Sequence, residues 1–199
     1  MKKLFVIGGM GSGKSSVSHI IAEDGIPIID LDKVGHKIHE WETVKEEIAA
    51  EFGADVYDEN GCLIRSKLAD RAFASPAETR KLNRITMPRI EDAYRDEIDR
   101  LEAEGHKAVV VEFSTFRNRS MSLADTADVV IAVLAPIEQR VERAVAAGWD
   151  EEDVRRRIAL QISDAQRAES ADVTFNNDRD LDDLANNVRV WWNNYKKTL

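Results

Sequence analysis

The stretch Leu4-Phe5-Val6-Ile7-Gly8-Gly9-Met10-Gly11-Ser12-Gly13-Lys14-Ser15-Ser16 decides the fold. Leu4 to Ile7 are continuously apolar, as a buried strand requires. Gly8 to Ser15 satisfy the pattern G-x-x-x-x-G-K-[ST] at every fixed position. Glycines let successive backbone N–H groups turn inward around a phosphate, where a Cβ would block the approach. From Lys14 the sequence turns helix-compatible, so free N–H groups and the positive end of a helix dipole follow the loop. Gly9, Gly11, Ser12, Gly13, Lys14, Ser15 and Ser16 are therefore predicted to bind ATP. Lys14 should reach the β- and γ-phosphates, and the Ser15 hydroxyl should ligate Mg²⁺.

Working outward, four more apolar segments follow. Ile26–Ile29 ends at Asp30 and Asp32, Ala108–Val111 at Glu112, Val129–Leu134 at Pro136, and Asp172–Phe175 at Asn176 and Asn177. Amphipathic helical stretches lie between them, such as Lys14–Asp24, Ile90–Glu104 and the final Leu181–Tyr195. Strands alternating with helices predict an α/β fold with a doubly wound parallel sheet. Ligands on such sheets sit beyond the carboxyl ends of the strands. The spacing predicts a core over about 1–33, 107–136 and 171–199. A helical insertion fills about 34–106, with a turn at Tyr57–Gly61, and a second, arginine-rich one fills about 137–170 with a break at Ala147–Asp150. Trp191 and Trp192 are expected to pack rather than to touch ligand.

Composition bounds the function. The 199 residues suit one domain, and such a chain buries roughly 70% of its unfolded surface without disulfides or structural zinc. With 28 Lys+Arg against 37 Asp+Glu the net charge is −9, which argues against broad nucleic-acid or anionic-membrane binding. Cys62 is the single cysteine, so no intramolecular disulfide forms. His19, His36, His39 and His106 lack metal-site spacing. No apolar run is long enough for a signal peptide or a bilayer span, so the chain reads as soluble and cytoplasmic.

A phosphate loop serves GTPases, ATPases and kinases alike. No Asn-Lys-x-Asp guanine-recognition sequence is present, and the chain is short for a motor or transporter. The arginine-rich insertion suits a small-molecule kinase, in which it would close as a lid and clamp the transferring phosphoryl group. Its candidates are Arg140, Arg143, Arg155, Arg156, Arg157 and Arg167. Arg140 and Arg143 share one helix face, the former expected to bind ATP and the latter to act in catalysis. Alternation along the second strand points Asp30 and Asp32 to the same side. Asp32, nearer the phosphate edge, is the candidate to accept the proton of the acceptor hydroxyl. Glu112 could hold a water on Mg²⁺ or meet the acceptor.

These features, in order, resemble the dephospho-CoA kinase family over nearly the whole chain. The matching segments are Ile7–Ser15, Gly25–Asp32, Phe52-Gly53, Asp58–Gly61, Arg65-x-x-Leu68, Phe73–Pro76, Arg157–Gln161, Ala171–Val173 and Asn177. The resemblance implies a P-loop kinase fold with ATP and Mg²⁺, and transfer to the ribose 3′-hydroxyl of dephospho-CoA. It implies Asp32 as the base, Arg65 with Asp32 on the acceptor side, and Asn177 at ATP; the acceptor role of Glu112 rests on its place after a strand. Departures fall at Met87-Pro88 (His-Pro in the family), Glu112–Phe116 (Pro-Leu-Leu-x-Glu) and Ala146–Gly148 (Arg-Asp-Gly). Asp178-Arg179 stands where the family has a glycine. The alternatives are a P-loop kinase acting on another nucleoside or nucleotide, and an ATP-binding regulatory protein.

Overall fold

A computed structural model describes all 199 residues. Five parallel strands form the sheet: β1 (Lys2–Gly8), β2 (Ile28–Asp30), β3 (Ala108–Phe113), β4 (Val129–Leu134) and β5 (Val173–Asn176). Their order is β2-β3-β1-β4-β5, so β1, which feeds the glycine loop, is central. The expected doubly wound sheet is present. Leu4, Val6, Ala108, Val110, Ile131, Val133 and Phe175 project to one face and pack against Val17 and Ile21 of α1 (Lys14–Ala22). Leu184, Val188 and Trp192 of α9 (Leu181–Tyr195) complete that layer. The alternate residues Phe5 and Phe113 are buried on the opposite face, where Phe113 also meets Phe116 edge to face. Burial on both faces explains why Leu4–Ile7, Ala108–Val111 and Val130–Val133 run continuously apolar, whereas the edge strand β5 alternates.

Between β4 and β5 run α6 (Ile137–Ala146), α7 (Glu151–Ala159) and α8 (Asp164–Ser170). Val141 and Ala144 of α6 and Val154 of α7 form a small shared core. Gly148, at φ +93°, makes the turn between α6 and α7. Asp150 caps α7 by accepting from Asp153 N–H, and Ser163 and Gln166 form a reciprocal capping box on α8.

The chain divides into two compact units, Met1–Asp30 with Arg100–Leu199, and Leu31–Asp99. The second comprises α2 (Leu31–Ile38), α3 (Glu42–Phe52), α4 (Arg65–Ala72) and most of α5 (Pro76–Ala103). Its own core gathers Ile38, Val44, Ile48, Phe52, Val56, Leu68, Leu82 and Ile85. No helix of the chain is long and apolar enough to cross a membrane.

Four sequence expectations need correction. The second strand begins at Ile28, not Ile26, because Pro27 has no N–H to give the ladder; its carbonyl accepts from Val110 instead. The first helix stops at Ala22, ended by Gly25 at φ +78°. The helix expected from Ile90 begins fourteen residues earlier, at Pro76, and runs through Pro88. Pro88 removes only the bond to the Arg84 carbonyl, a local loss that the long helix on either side of it absorbs. Finally, β3 continues through Phe113, so Glu112 lies inside the strand and not after it.

Candidate active site

Gly8 to Ser15 join β1 to α1 as a tight loop, with Ser12 N–H donating to the Gly9 carbonyl at 3.1 Å. Gly13 is the N-cap of α1 at φ +98°, a conformation that L side chains rarely adopt. A Cβ there would also lie 2.4 Å from Asn177 Nδ2. That amide donates to the Ser12 carbonyl at 2.8 Å, so Asn177, just beyond β5, buttresses the loop from behind. Lys14 Nζ reaches back to the Gly9 carbonyl at 3.4 Å, which lays its ammonium across the loop.

The Ser15 hydroxyl donates to Glu112 Oε2 at 2.9 Å. Glu112 is 8% exposed and pairs in register with Asp30 across β2 and β3. A serine hydroxyl beside a buried carboxylate, at the mouth of a phosphate loop, is a donor set suited to Mg²⁺, which takes few protein ligands and keeps several waters. Glu112 is thus brought to the Ser15 side of the site. Ser16 sits half-buried in the first turn of α1.

Arg140 and Arg143 both turn from α6 toward the loop. Arg140 is 3% exposed, and all three of its guanidinium nitrogens face protein oxygens. Nε donates to the Met10 carbonyl at 2.9 Å, Nη2 to Gln161 Oε1 at 3.1 Å, and Nη1 lies 3.5 Å from Asp164 Oδ1. Burial pulls its pKa below the usual arginine value, and Asp164 opposes that fall. The side chain braces the loop's backbone. Asp164 also binds the buried Arg167, at 2.7 Å. Arg143 Nη2 donates to Gln139 Oε1 and to the Asn177 carbonyl, while its buried Nη1 has no hydrogen-bond partner.

The other lid arginines are engaged within the lid. Arg155 holds Glu138 and Glu151, and Arg156 and Arg157 share Asp153. Arg157 also lies over the Trp149 ring, 5.1 Å from its centroid.

Asp32 and Arg65 belong to the second unit. Asp32 is exposed in the first turn of α2, which corrects the alternation expected from a strand: extended backbone ends at Asp30. Arg65 opens α4 and is also exposed. Within this unit His39 is pushed down to about 4, first by burial and then by the charges of His36 and Arg65.

Sequence reasoning gave no role to Gln161 or Asp164. Gln161 accepts from both Met10 N–H and Arg140, each at 3.1 Å. Its one sequence signal is its place at the end of the family-like segment Arg157–Gln161, since an amide in a polar turn otherwise looks like a solvated residue.

A family model described as dephospho-CoA kinase matches residues 4–183. A dephospho-CoA kinase from Corynebacterium diphtheriae is 38% identical over 197 residues, covering 98% of each chain. One from Corynebacterium glutamicum is 36% identical over 186 residues, covering 92% of each. Among solved structures, a protein from Thermus thermophilus superposes with a TM-score of 0.80 at 26% identity, covering 96% of this chain and 95% of its own.

Proposed function

The chain belongs to the dephospho-CoA kinase family, and from that membership we propose that Lys14, Ser15, Asp32 and Arg143 carry its phosphoryl transfer. The reaction is ATP-dependent phosphorylation of dephospho-CoA, at the ribose 3′-hydroxyl. The observation that carries it is the family match along the chain, which includes a phosphate loop with Ser15 hydrogen-bonded to Glu112. It favours this reaction over another acceptor or a regulatory role.

The loop N–H groups and the N-terminus of α1 bind the β-phosphate, and Lys14 neutralises the β- and γ-oxygens. Ser15 and Glu112 are the residues that would hold Mg²⁺, which when bound would supply charge screening for the phosphates. Asp32 accepts the proton of the 3′-hydroxyl as its oxygen attacks the γ-phosphorus and the bond to the ADP oxygen breaks. Arg143, with Nη1 unpaired, stabilises charge on the group in transit. Arg140 and Asn177 serve ATP through the loop that they support. Arg65 contributes a cation to the acceptor's phosphates. The helical insertion of about 34–106 acts as the acceptor region and that of about 137–170 as the lid.

The test is ADP release by the purified protein with dephospho-CoA beside a panel of nucleosides and nucleotides, with products identified by mass. Turnover with dephospho-CoA and a single added 3′-phosphate is expected. Robust turnover of a nucleoside with none of dephospho-CoA would overturn the proposal.

A further inference from the structure

We infer that Gln161 is a positioning residue for ATP: it pins the outer edge of the phosphate loop to the corner between α7 and α8. This rests on the phosphate loop being the ATP site, as proposed above.

The Gln161 amide oxygen takes two hydrogen bonds at once, from Met10 N–H and from Arg140 Nη2. Arg140 Nε closes the ring by donating to the carbonyl of the same Met10. Both polar backbone groups at the tip of the loop are therefore held by two side chains that also hold each other. With its N–H engaged outward by Gln161, Met10 is an anchor of the loop rather than one of its phosphate donors.

The backbone that carries Gln161 is itself constrained from both sides. Gln161 N–H donates to the Ile158 carbonyl at 3.1 Å in the closing turn of α7. Two residues later Ser163 begins the capping box of α8. Asp164, in the first turn of α8, then balances the charge of Arg140. The amide oxygen is thus set by two helix ends and not by a mobile loop. A neutral acceptor suits the position: it can meet an N–H and a guanidinium together without adding charge beside bound phosphates.

A phosphate loop binds well when its N–H groups point inward before ligand arrives, because no ordering then opposes binding. Removing the Gln161 acceptor unties Met10 and leaves one Arg140 donor without its oxygen. The loop then samples other conformations, and nucleotide affinity falls. Acceptor affinity does not.

The experiment uses the full chain with Gln161→Met, which keeps the length and loses the acceptor, and Gln161→Glu, which keeps the acceptor. ADP binding is measured by calorimetry without acceptor, and KM is measured for ATP and for dephospho-CoA. Gln161→Met should weaken ADP binding about tenfold and raise the KM for ATP similarly, with the KM for dephospho-CoA unchanged. Gln161→Glu should lie closer to wild type on both measures. A merely structural role would lower the active fraction, reducing kcat and moving neither KM. Equal losses in the two variants, or wild-type ADP affinity in Gln161→Met, would overturn the inference. If Gln161→Met does not fold, Gln161→Asn, one methylene shorter, takes its place under the same criteria. Wild-type turnover on the acceptor panel tests the parent proposal separately, because ADP affinity needs no acceptor.

Discussion

Gly9 occupies a position that the phosphate-loop pattern leaves variable, and its backbone is outside the left-handed region. The structure nevertheless makes Gly9→Ala severe. The added methyl would lie 1.8 Å from Arg140 Nη2 and 2.3 Å from Cζ. Ordinary contact starts near 3.4 Å, so the guanidinium must retreat by about 1.6 Å. Arg140 is 3% exposed and has no room to do so while keeping its bonds to Met10 and Gln161. Each hydrogen bond from a charged donor is worth about 1.5–3 kcal/mol, and the backbone will shift to save part of them. A net loss of about 3 kcal/mol follows, which lowers the melting temperature by about 6–12 °C for a chain of this length. Thermal unfolding by circular dichroism measures it, with Gly25→Ala and Gly148→Ala as comparators. Those two glycines have φ of +78° and +93° but nothing within 4 Å of an added Cβ. They carry only the left-handed penalty of about 1–2 kcal/mol. A Gly9→Ala protein that melts with the comparators, or above them, would refute the view that Arg140 is locked against the loop.

Three further predictions concern single groups. Asp32→Asn should lower turnover by about 10²–10⁴-fold while ADP affinity by calorimetry stays near wild type; unchanged turnover would remove Asp32 as the base. Glu112→Gln keeps an acceptor for Ser15 but deletes the charge, so a Mg²⁺ titration of activity should shift to about tenfold higher concentration, and an unshifted curve would separate Glu112 from the metal. His39 falls from 6.5 to about 4 on folding, so the unfolded chain takes up its proton first as pH drops. Stability is full above pH 6.5 and is lost progressively toward pH 4, by up to about 3 kcal/mol. Urea midpoints from pH 7.5 to 4 should fall more steeply for wild type than for His39→Gln, and parallel curves would count against the burial of a neutral imidazole.

The sheet was legible because burial on both faces writes a continuous apolar run, and Val129–Leu134 ends where its sequence ends. Boundaries failed where backbone chemistry, not hydrophobicity, sets the limit. Pro27 withholds an N–H and delays β2, whereas Pro88 deprives α5 of a single hydrogen bond, the one to the Arg84 carbonyl, and the helix runs on through it. The same division runs through the site. Lys14, Ser15 and the glycines follow from a local pattern whose parts are adjacent in sequence. Gln161 and Asp164 act on Met10 and Arg140 across more than twenty residues of chain, and no periodicity encodes such a contact. Asp32 was found for its place after a strand, yet the alternation used to orient it does not operate in the helix it occupies.

How an acidic chain takes a polyanion depends on how its arginines are spent. Of the six in the lid, Arg155, Arg156 and Arg157 are neutralised by Glu138, Glu151 and Asp153 at the lid surface. Arg140 and Arg167 share Asp164 in the interior. The three surface cations therefore add little field at the loop, whereas two guanidiniums on one carboxylate leave a net positive charge where Arg140 meets Met10. Arg143 differs: it donates to an amide oxygen and a carbonyl, both neutral, and one buried nitrogen has no acceptor. Its charge is therefore uncompensated where the lid meets Asn177 and the loop. The net charge of −9 is a property of the exterior. The proposed phosphate site therefore draws on a few local groups rather than on net charge, namely the N-terminus of α1 and the guanidiniums that α6 brings toward the loop.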